Sequence, residues 1–232
     1  LNIRSKIESF TMVVNGAEII CDCSGAAFWE AENLLIVADL HLEKSSCFAR
    51  HGQLLPPYDS ERTLKRLKNV IEKYQPQKII ALGDSFHDNQ ASTQLSGKNR
   101  QLLEDIIANR EMIWIAGNHD DEKTEFAGQW THEIQIGPLI FRHEPRVGAQ
   151  NGEMAGHLHP ALRIFRRGMS VRRFCFASDG NRMILPAFGA YAGGMDLTHK
   201  IFSNIFKKSE LIACLLGKNT IYPIHQRDFF SR

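Results

Sequence analysis

No stretch of this 232-residue chain approaches the ~18 consecutive apolar residues that a membrane-spanning helix needs. No secretory pattern heads it either, and the two absences lead to the expectation of a cytoplasmic protein. Cysteine is scarce and odd in number. Cys21, Cys23, Cys47, Cys175 and Cys214 show no CxxC spacing, which argues against a disulfide framework and for a reducing compartment. The Cys21–Asp22–Cys23 pair lacks a second pair to complete a soft-metal site, so two thiols at a strand end is the better reading. An excess of charge of one sign is missing too: the net charge of +2 says little about partners and leaves the signal to local clusters. No internal repeat or low-complexity linker divides the sequence, and 43% hydrophobic residues suffice for a sizeable core. One domain spanning residues 1–232 is expected, with a core over about 10–196 and a tail, 197–232, that follows no clear pattern.

What is present is ordered. Residues 10–14 and 18–21 straddle Asn15–Gly16, a favoured hairpin turn. Leu34 to Val37, Ile79 to Leu82 and Met112 to Ala116 are apolar runs, as expected of strands buried on both faces. Between them lie two amphipathic helices. One is capped by Ser60, carries Leu64, Leu67, Ile71 and Tyr74, and closes at Pro76; the other spans Lys98 to Asn109. Strand, helix, strand, helix, strand implies a parallel sheet. Beyond Trp130 the pattern turns to hairpins over 134–142 and 162–176, a strand at 182–185, and a short helix or strand at 211–216. An α/β first half and a β-rich second half suit two sheets packed face to face with helices outside.

Five clusters of metal-seeking residues punctuate this order: Asp39–Leu40–His41, Gly83–Asp84, Gly117–Asn118–His119–Asp120, His143, and Gly156–His157–Leu158–His159. They use five of the ten histidines, and each sits where a predicted strand ends, the place where open α/β sheets bind ligands. In an extended segment residues i and i+2 point the same way, so Asp39 and His41, like His157 and His159, can serve one centre. Glycines 83, 117 and 156 let the backbone turn and approach ions.

The pattern D-x-H, GD, GNHD, H, GHxH resembles the metallophosphoesterase (calcineurin-like) superfamily. The resemblance implies an α/β, four-layer αββα sandwich of two mixed β-sheets flanked by helices. It implies two divalent ions, with Mn²⁺ first and Fe, Zn or Co as alternatives. Asp39, His41, Asp84 and His159 would hold one ion; Asp84, Asn118, His143 and His157 would hold the other, with Asp84 as the bridge. A hydroxide between the ions would attack phosphorus, and His119, not a ligand, would protonate the leaving oxygen. Many members carry an Asp three residues after the bridging Asp to orient that histidine. Here His87 stands there, followed by Asp88, so the orienting residue is Asp88, Asp120 or His87, with Asp88 ranked first because a carboxylate fixes the imidazole tautomer.

Longer phrases narrow the match. Ala38–Lys44, Phe48–Gly52, Leu55–Asp59, Gly83–Asp88 (GDSFHD), Phe141–Pro145, Gly156–Pro160 and Leu185–Tyr191 (LPAFGAY) resemble the bacterial ligase-associated DNA damage response metallophosphoesterases. That resemblance implies a DNA endonuclease associated with a repair ligase and helicase. Independently, Arg163, Arg166, Arg167, Arg172 and Arg173 crowd one predicted hairpin just after His159, where they could meet DNA phosphates, with Arg50 and Lys44 adding to the patch. Phe86 and Tyr191 are candidates for stacking on bases and equally for the core. Two other readings stay open. One is hydrolysis of a small phosphoester such as a cyclic nucleotide, nucleotide or phosphoprotein; the other is a non-catalytic scaffold of the same fold.

Overall fold

The computed structural model describes residues 7–95, 97–120, 124–166 and 169–229. An antiparallel meander opens the chain: β1 (Ser9–Val14), β2 (Ala17–Asp22), β3 (Ala27–Trp29) and β4 (Leu34–Val37). Its first turn places Asn15 and Gly16 at positive φ, as a two-residue hairpin requires. After α1 (Lys44–Arg50) and α2 (Asp59–Tyr74), β5 (Lys78–Leu82) returns parallel to β4. The short α3 (Ala91–Gln94) and α4 (Gly97–Ile107) lead to β6 (Glu111–Ile115) and β7 (Gln129–Thr131), again parallel. The resulting seven-stranded sheet runs β1 to β7 in chain order.

The second sheet is built from β8 (Glu133–Ile136), β9 (Leu139–Arg142), β10 (Glu153–Ala155), β11 (Pro160–Arg166), β12 (Met169–Ser178), β13 (Met183–Ile184) and β14 (Met195–Asp196). Its order is β14-β11-β12-β13-β10-β9-β8. The tail contributes α5 (Lys200–Ser203), then β15 (Ile212–Leu216) and β16 (Ile221–His225), with β15 paired to the inner half of β12. The segment 211–216 is therefore a strand.

Alternation along the strands sorts side chains into layers. In β4, Leu34 and Ile36 face the second sheet, whereas Leu35 and Val37 face the helices. The central core joins Ile36, Ile80, Ile113 and Ile115 to Phe141, Met154, Phe176 and Leu185 across the two sheets. Outside the first sheet, Leu64, Leu67, Val70 and Ile71 of α2 and Leu103, Ile106 and Ile107 of α4 cover it. Outside the second, Phe202, Phe206, Leu211 and Phe229 do the same. The architecture is the expected α/β sandwich of two mixed sheets.

One expected detail is corrected. Ser60 does not cap α2, whose N-cap is Tyr58 without a side-chain bond. Its hydroxyl accepts from the Glu43 N–H at 2.7 Å and donates to the Glu43 carboxylate at 2.8 Å, tying α2 to the loop after His41. The C-terminus is as read: Gln75 adopts left-handed φ, and Pro76 cannot continue the helix.

Beneath the second sheet lies a buried ion network. Glu153, 1% exposed, is held between the Arg182 and Arg142 guanidiniums and accepts from the Arg146 N–H at 3.0 Å. Arg182 also donates to the carbonyls of Arg146, Gly148 and Ile205, so the network pins the loop after His143 and the tail together. Glu153→Ala leaves the buried Arg182 with backbone carbonyls in place of its carboxylate, and Arg142 with Glu133 alone. We expect a loss of about 3–5 kcal/mol, or roughly 6–20 °C in Tm, in chemical and thermal denaturation. A loss under about 1 kcal/mol would make the network incidental.

Candidate metal centre

β4, β5 and β6 end side by side, and their exit loops carry Asp39 and His41, Asp84, and Asn118 with His119. The second sheet supplies His143 just beyond β9, and His157 and His159 between β10 and β11. Two groups converge closely enough to share an ion: Asp39, His41 and His159, and Asp39, Asp84 and His143, with donor atoms within 4.8 Å in each.

The local backbone differs from the extended segment expected. Asp39 and His41 have φ of 54° and 44°, His157 and His159 65° and 44°, and Asp84 46°. An extended chain would leave alternate side chains about 6.6 Å apart along the strand. Left-handed residues curl it around one centre instead, at a cost on the order of 1–3 kcal/mol each, strain of the kind that clusters at functional sites. The glycines act differently from one another. Gly83 takes positive φ (73°), and a Cβ there would run into the His143 ring. At Gly117 a Cβ would collide with the Asp84 backbone and carboxylate, and at Gly156 it would lie 2.6 Å from Asp39 Oδ2. Close packing against the ligands, rather than turning, requires the latter two.

Two of the histidine ring orientations are set by backbone carbonyls, a cue absent from the motif. His143 Nδ1 is 2.9 Å from the Leu82 carbonyl, so in the neutral ring this nitrogen carries the proton and Nε2 offers a lone pair. That Nε2 lies 3.1 Å from His157 Nδ1 and 3.5 Å from Asp84 Oδ1. His159 Nδ1 likewise meets the Gly193 carbonyl at 3.0 Å, and its buried Nε2 faces Asp39 Oδ1 at 3.2 Å without hydrogen-bond geometry. Asp84 Oδ2 faces His41 Nε2 at 4.0 Å, while Oδ1 accepts from the His119 N–H at 3.0 Å. Lone pairs of several residues thus converge with few protons between them, and such a set fits divalent cations. Burial, then the neighbouring His159 imidazole, pushes His41 down to about 2, keeping it neutral. Burial and His143 lower His157 as well. Burial also pulls on His159, but the facing Asp39 carboxylate outweighs it and raises that ring.

Asn118 is exposed and lies where two clefts meet, one lined by Arg142, His143 and Arg146, the other by Lys44, His87, His159, Gly193 and Gly194. His119 is half-exposed beside it, its Nε2 4.0 Å from Asp84 Oδ2. Of its three candidate partners, only His87 meets it. The two rings stack at 5.0 Å between centroids and 19° between planes. Asp88 is engaged elsewhere, by the Arg50 guanidinium and by the Gln90 N–H at 3.0 Å. Asp120 is buried and accepts from the N–H groups of Phe86 (2.9 Å) and Gly117 (3.2 Å), clamping the loops after β5 and β6 to each other. Burial raises its carboxyl to about 7 against those two donors, with help from nearby Asp84. In this structure His87, rather than the first-ranked Asp88, lies against His119. Arg50, bound to Asp88 and Gln94, is an anchor of that loop.

The arginine hairpin is real but divided. Arg163 pairs with Arg172, and Leu162 with Arg173, so strand alternation puts Arg163 and Arg172 on one face and Arg173 on the other. Arg167 and the Arg166 side chain lie outside the described residues. Phe86 is fully buried against Phe126 and Trp114, a core residue. Tyr191 is half-buried.

A model of the calcineurin-like phosphoesterase family matches residues 33–176. The chain belongs to that family. The matched span of this calcineurin-like phosphoesterase holds every cluster from Asp39 to His159 and ends within β12, short of Leu185–Tyr191 and the tail. Among solved structures it resembles the nuclease MPE of Pseudomonas putida, with 26% identity, 93% of this chain and 100% of that chain covered, and a TM-score of 0.71. The phosphoesterase Yfce of E. coli matches at 13% identity over 82% of this chain and 97% of that one, with a TM-score of 0.41. No curated protein matches the chain. Among the described residues no helix is long and apolar enough to cross a membrane.

Proposed function

We propose that this calcineurin-like phosphoesterase is a dinuclear phosphodiesterase that cleaves DNA, a nuclease of DNA repair. One observation carries the reading: Asp84 lies between two sets of donors, one carboxylate oxygen toward His41 and the other toward His143. Asp39, His41, Asp84 and His159 would hold one ion, and Asp84, Asn118, His143 and His157 the other. Such a pair of ions supplies charge for the phosphoryl oxygens and lowers the pKa of water, and Mn²⁺ is the first candidate, ahead of Fe, Zn and Co.

The chain's own groups do the rest. Asp39 and Asp84 each accept a backbone N–H, from His157 and His119, so the loops that carry the ligands are fixed before substrate arrives. His119 faces solvent beside the cleft and donates a proton to the leaving oxygen, with His87 stacked behind it as its positioning residue. Arg163 and Arg172 receive flanking phosphates. DNA as substrate is supported by the likeness to a nuclease over 93% of the chain and by that basic face. The repair role, a cytoplasmic location and a ligase or helicase as partners rest on the phrases GDSFHD and LPAFGAY. Residues 1–232 act as one domain in this reading, supported by the pairing of tail strand β15 with β12.

With Mn²⁺ added, the protein should cleave at least one of single-stranded, duplex or nicked DNA, and a small diester more slowly. EDTA should abolish both. Turnover of small diesters with all three DNAs intact would replace the nuclease with a small-substrate phosphoesterase. No turnover and no bound metal would leave a scaffold.

A further inference from the structure

The β11–β12 hairpin outruns the sheet that carries it. β15 and β13 pair only with residues 175–178 of β12, so residues 169–174 pair with β11 alone, and the outer hairpin is a two-stranded ribbon. Its surface departs from an ordinary edge in three ways. Five arginines and no acidic residue fall within residues 163–174. Arg163 sits directly opposite Arg172, a like-charge pair that destabilises a ribbon left to itself. Large apolar side chains stand in solvent: Phe165 is 55% and Met169 68% exposed.

Strand alternation assembles these features. Phe165 is two residues from Arg163 and opposite Ser170, so Arg163, Phe165, Ser170 and Arg172 share one face. The Arg163 guanidinium donates to Ser170 Oγ at 3.2 Å on that face. On the opposite face Leu162 and Ile164 join the outer core, while Met169, Val171 and Arg173 stay exposed. The arginine face adjoins the metal centre, because Arg172 donates to the Gly194 carbonyl, and Gly193 and Gly194 line the cleft. β11 itself starts right after His159, which puts Phe165 about 20 Å along the strand from it.

We infer that this ribbon face is an arm for single-stranded nucleic acid, with Phe165 as a stacking platform for an unpaired base and Arg163 and Arg172 holding the phosphates on either side. The inference rests on the nuclease reading and deepens it. A guanidinium pair flanking an exposed aromatic matches a chain of alternating phosphates and bases, and every base offers a π-face. Base pairs of a duplex keep those faces covered. A second copy of the ribbon would set arginines against arginines, so charge argues against self-pairing through the exposed apolar residues.

The test is fluorescence anisotropy with the Mn²⁺-loaded protein and a labelled, non-hydrolysable phosphorothioate oligothymidine, alongside cleavage of ordinary oligothymidine and of a small diester. Phe165→Ala should weaken binding about tenfold, and Phe165→Trp should restore it to within about twofold. Arg163→Gln with Arg172→Gln should weaken binding and flatten the slope of log K against log salt by about 1.4. The ratio of oligonucleotide to small-diester turnover should fall with binding. Met169→Ala, on the other face, should bind within about twofold of the parent protein.

Wild-type cleavage of DNA with Phe165→Ala binding undiminished would remove the arm and leave the nuclease. Small-diester turnover with no DNA bound or cut would remove the nuclease reading and the arm with it. Tighter binding of a blunt duplex than of oligothymidine, an equal loss in Met169→Ala, or a dimer that Phe165→Ala dissolves would each overturn the single-strand assignment.

Discussion

Asp84→Asn should yield a folded protein that holds fewer Mn²⁺ ions per chain and turns over a phosphodiester on the order of a thousandfold more slowly. The size follows from what the carboxylate is asked to do. Ions held at such a centre would contribute several kcal/mol of charge stabilisation, and each 1.4 kcal/mol or so is a factor of ten in rate. Asn keeps one oxygen, which can still accept the His119 N–H that Asp84 Oδ1 accepts at 3.0 Å, so the loop after β6 stays in place. What it loses is the second anionic oxygen, the one 4.0 Å from His41 Nε2. Metal stoichiometry by atomic emission, read beside circular dichroism, separates a lost bridge from a lost fold. A variant with full metal content and more than half the wild-type rate would end the bridging role. His159→Ala serves as comparison, since it removes one donor from one side and should cost one ion without emptying the other position.

The fold was legible wherever burial on both faces wrote an uninterrupted apolar run. Leu34 to Val37, Ile79 to Leu82 and Met112 to Ile115 are such runs, and they are β4, β5 and β6. Shorter strands escaped notice for a physical reason. Gln129–Thr131 and Glu153–Ala155 are three residues each, too short for any periodicity to develop. Burial of the Glu153 carboxylate is explained by Arg142, Arg182 and the Arg146 N–H, which are distant in sequence. In the site, residue types and order were readable, and the fold brings Asp39, His41, Asp84, His143 and His159 close together. Backbone conformation was not, since Asp39, His41, Asp84, His157 and His159 all take a left-handed φ that non-glycine residues rarely adopt. Nor could the sequence divide the arginines. Which of Arg163, Arg172 and Arg173 share a face depends on register, and register is a property of the paired strands. Phe165 was missed for the same reason, although an aromatic amid five arginines was there to be read.

His119→Ala should retain both ions and lose about 10²–10⁴ in turnover, the range general acids contribute. Its dependence on the leaving group makes the prediction specific. A diester that expels a nitrophenolate needs little protonation, so the loss should be small there and large for an alkoxide-like leaving group such as a deoxyribose oxygen. An equal loss on both would assign His119 to holding the phosphoryl group rather than to proton transfer, and loss of metal would make it a ligand. The geometry also fixes what should happen to its neighbours. His87 lies flat against His119 at 5.0 Å, whereas Asp88 is spent on Arg50 and the Gln90 N–H. His87→Phe should therefore preserve more activity than His87→Ala, because a phenyl ring keeps the stack without a ring nitrogen. Asp88→Asn should act through its loop, lowering stability more than it changes leaving-group dependence. If Asp88→Asn instead reproduced the leaving-group signature of His119→Ala, a carboxylate would be orienting the imidazole after all, through a loop position different from the one in which Arg50 now holds it.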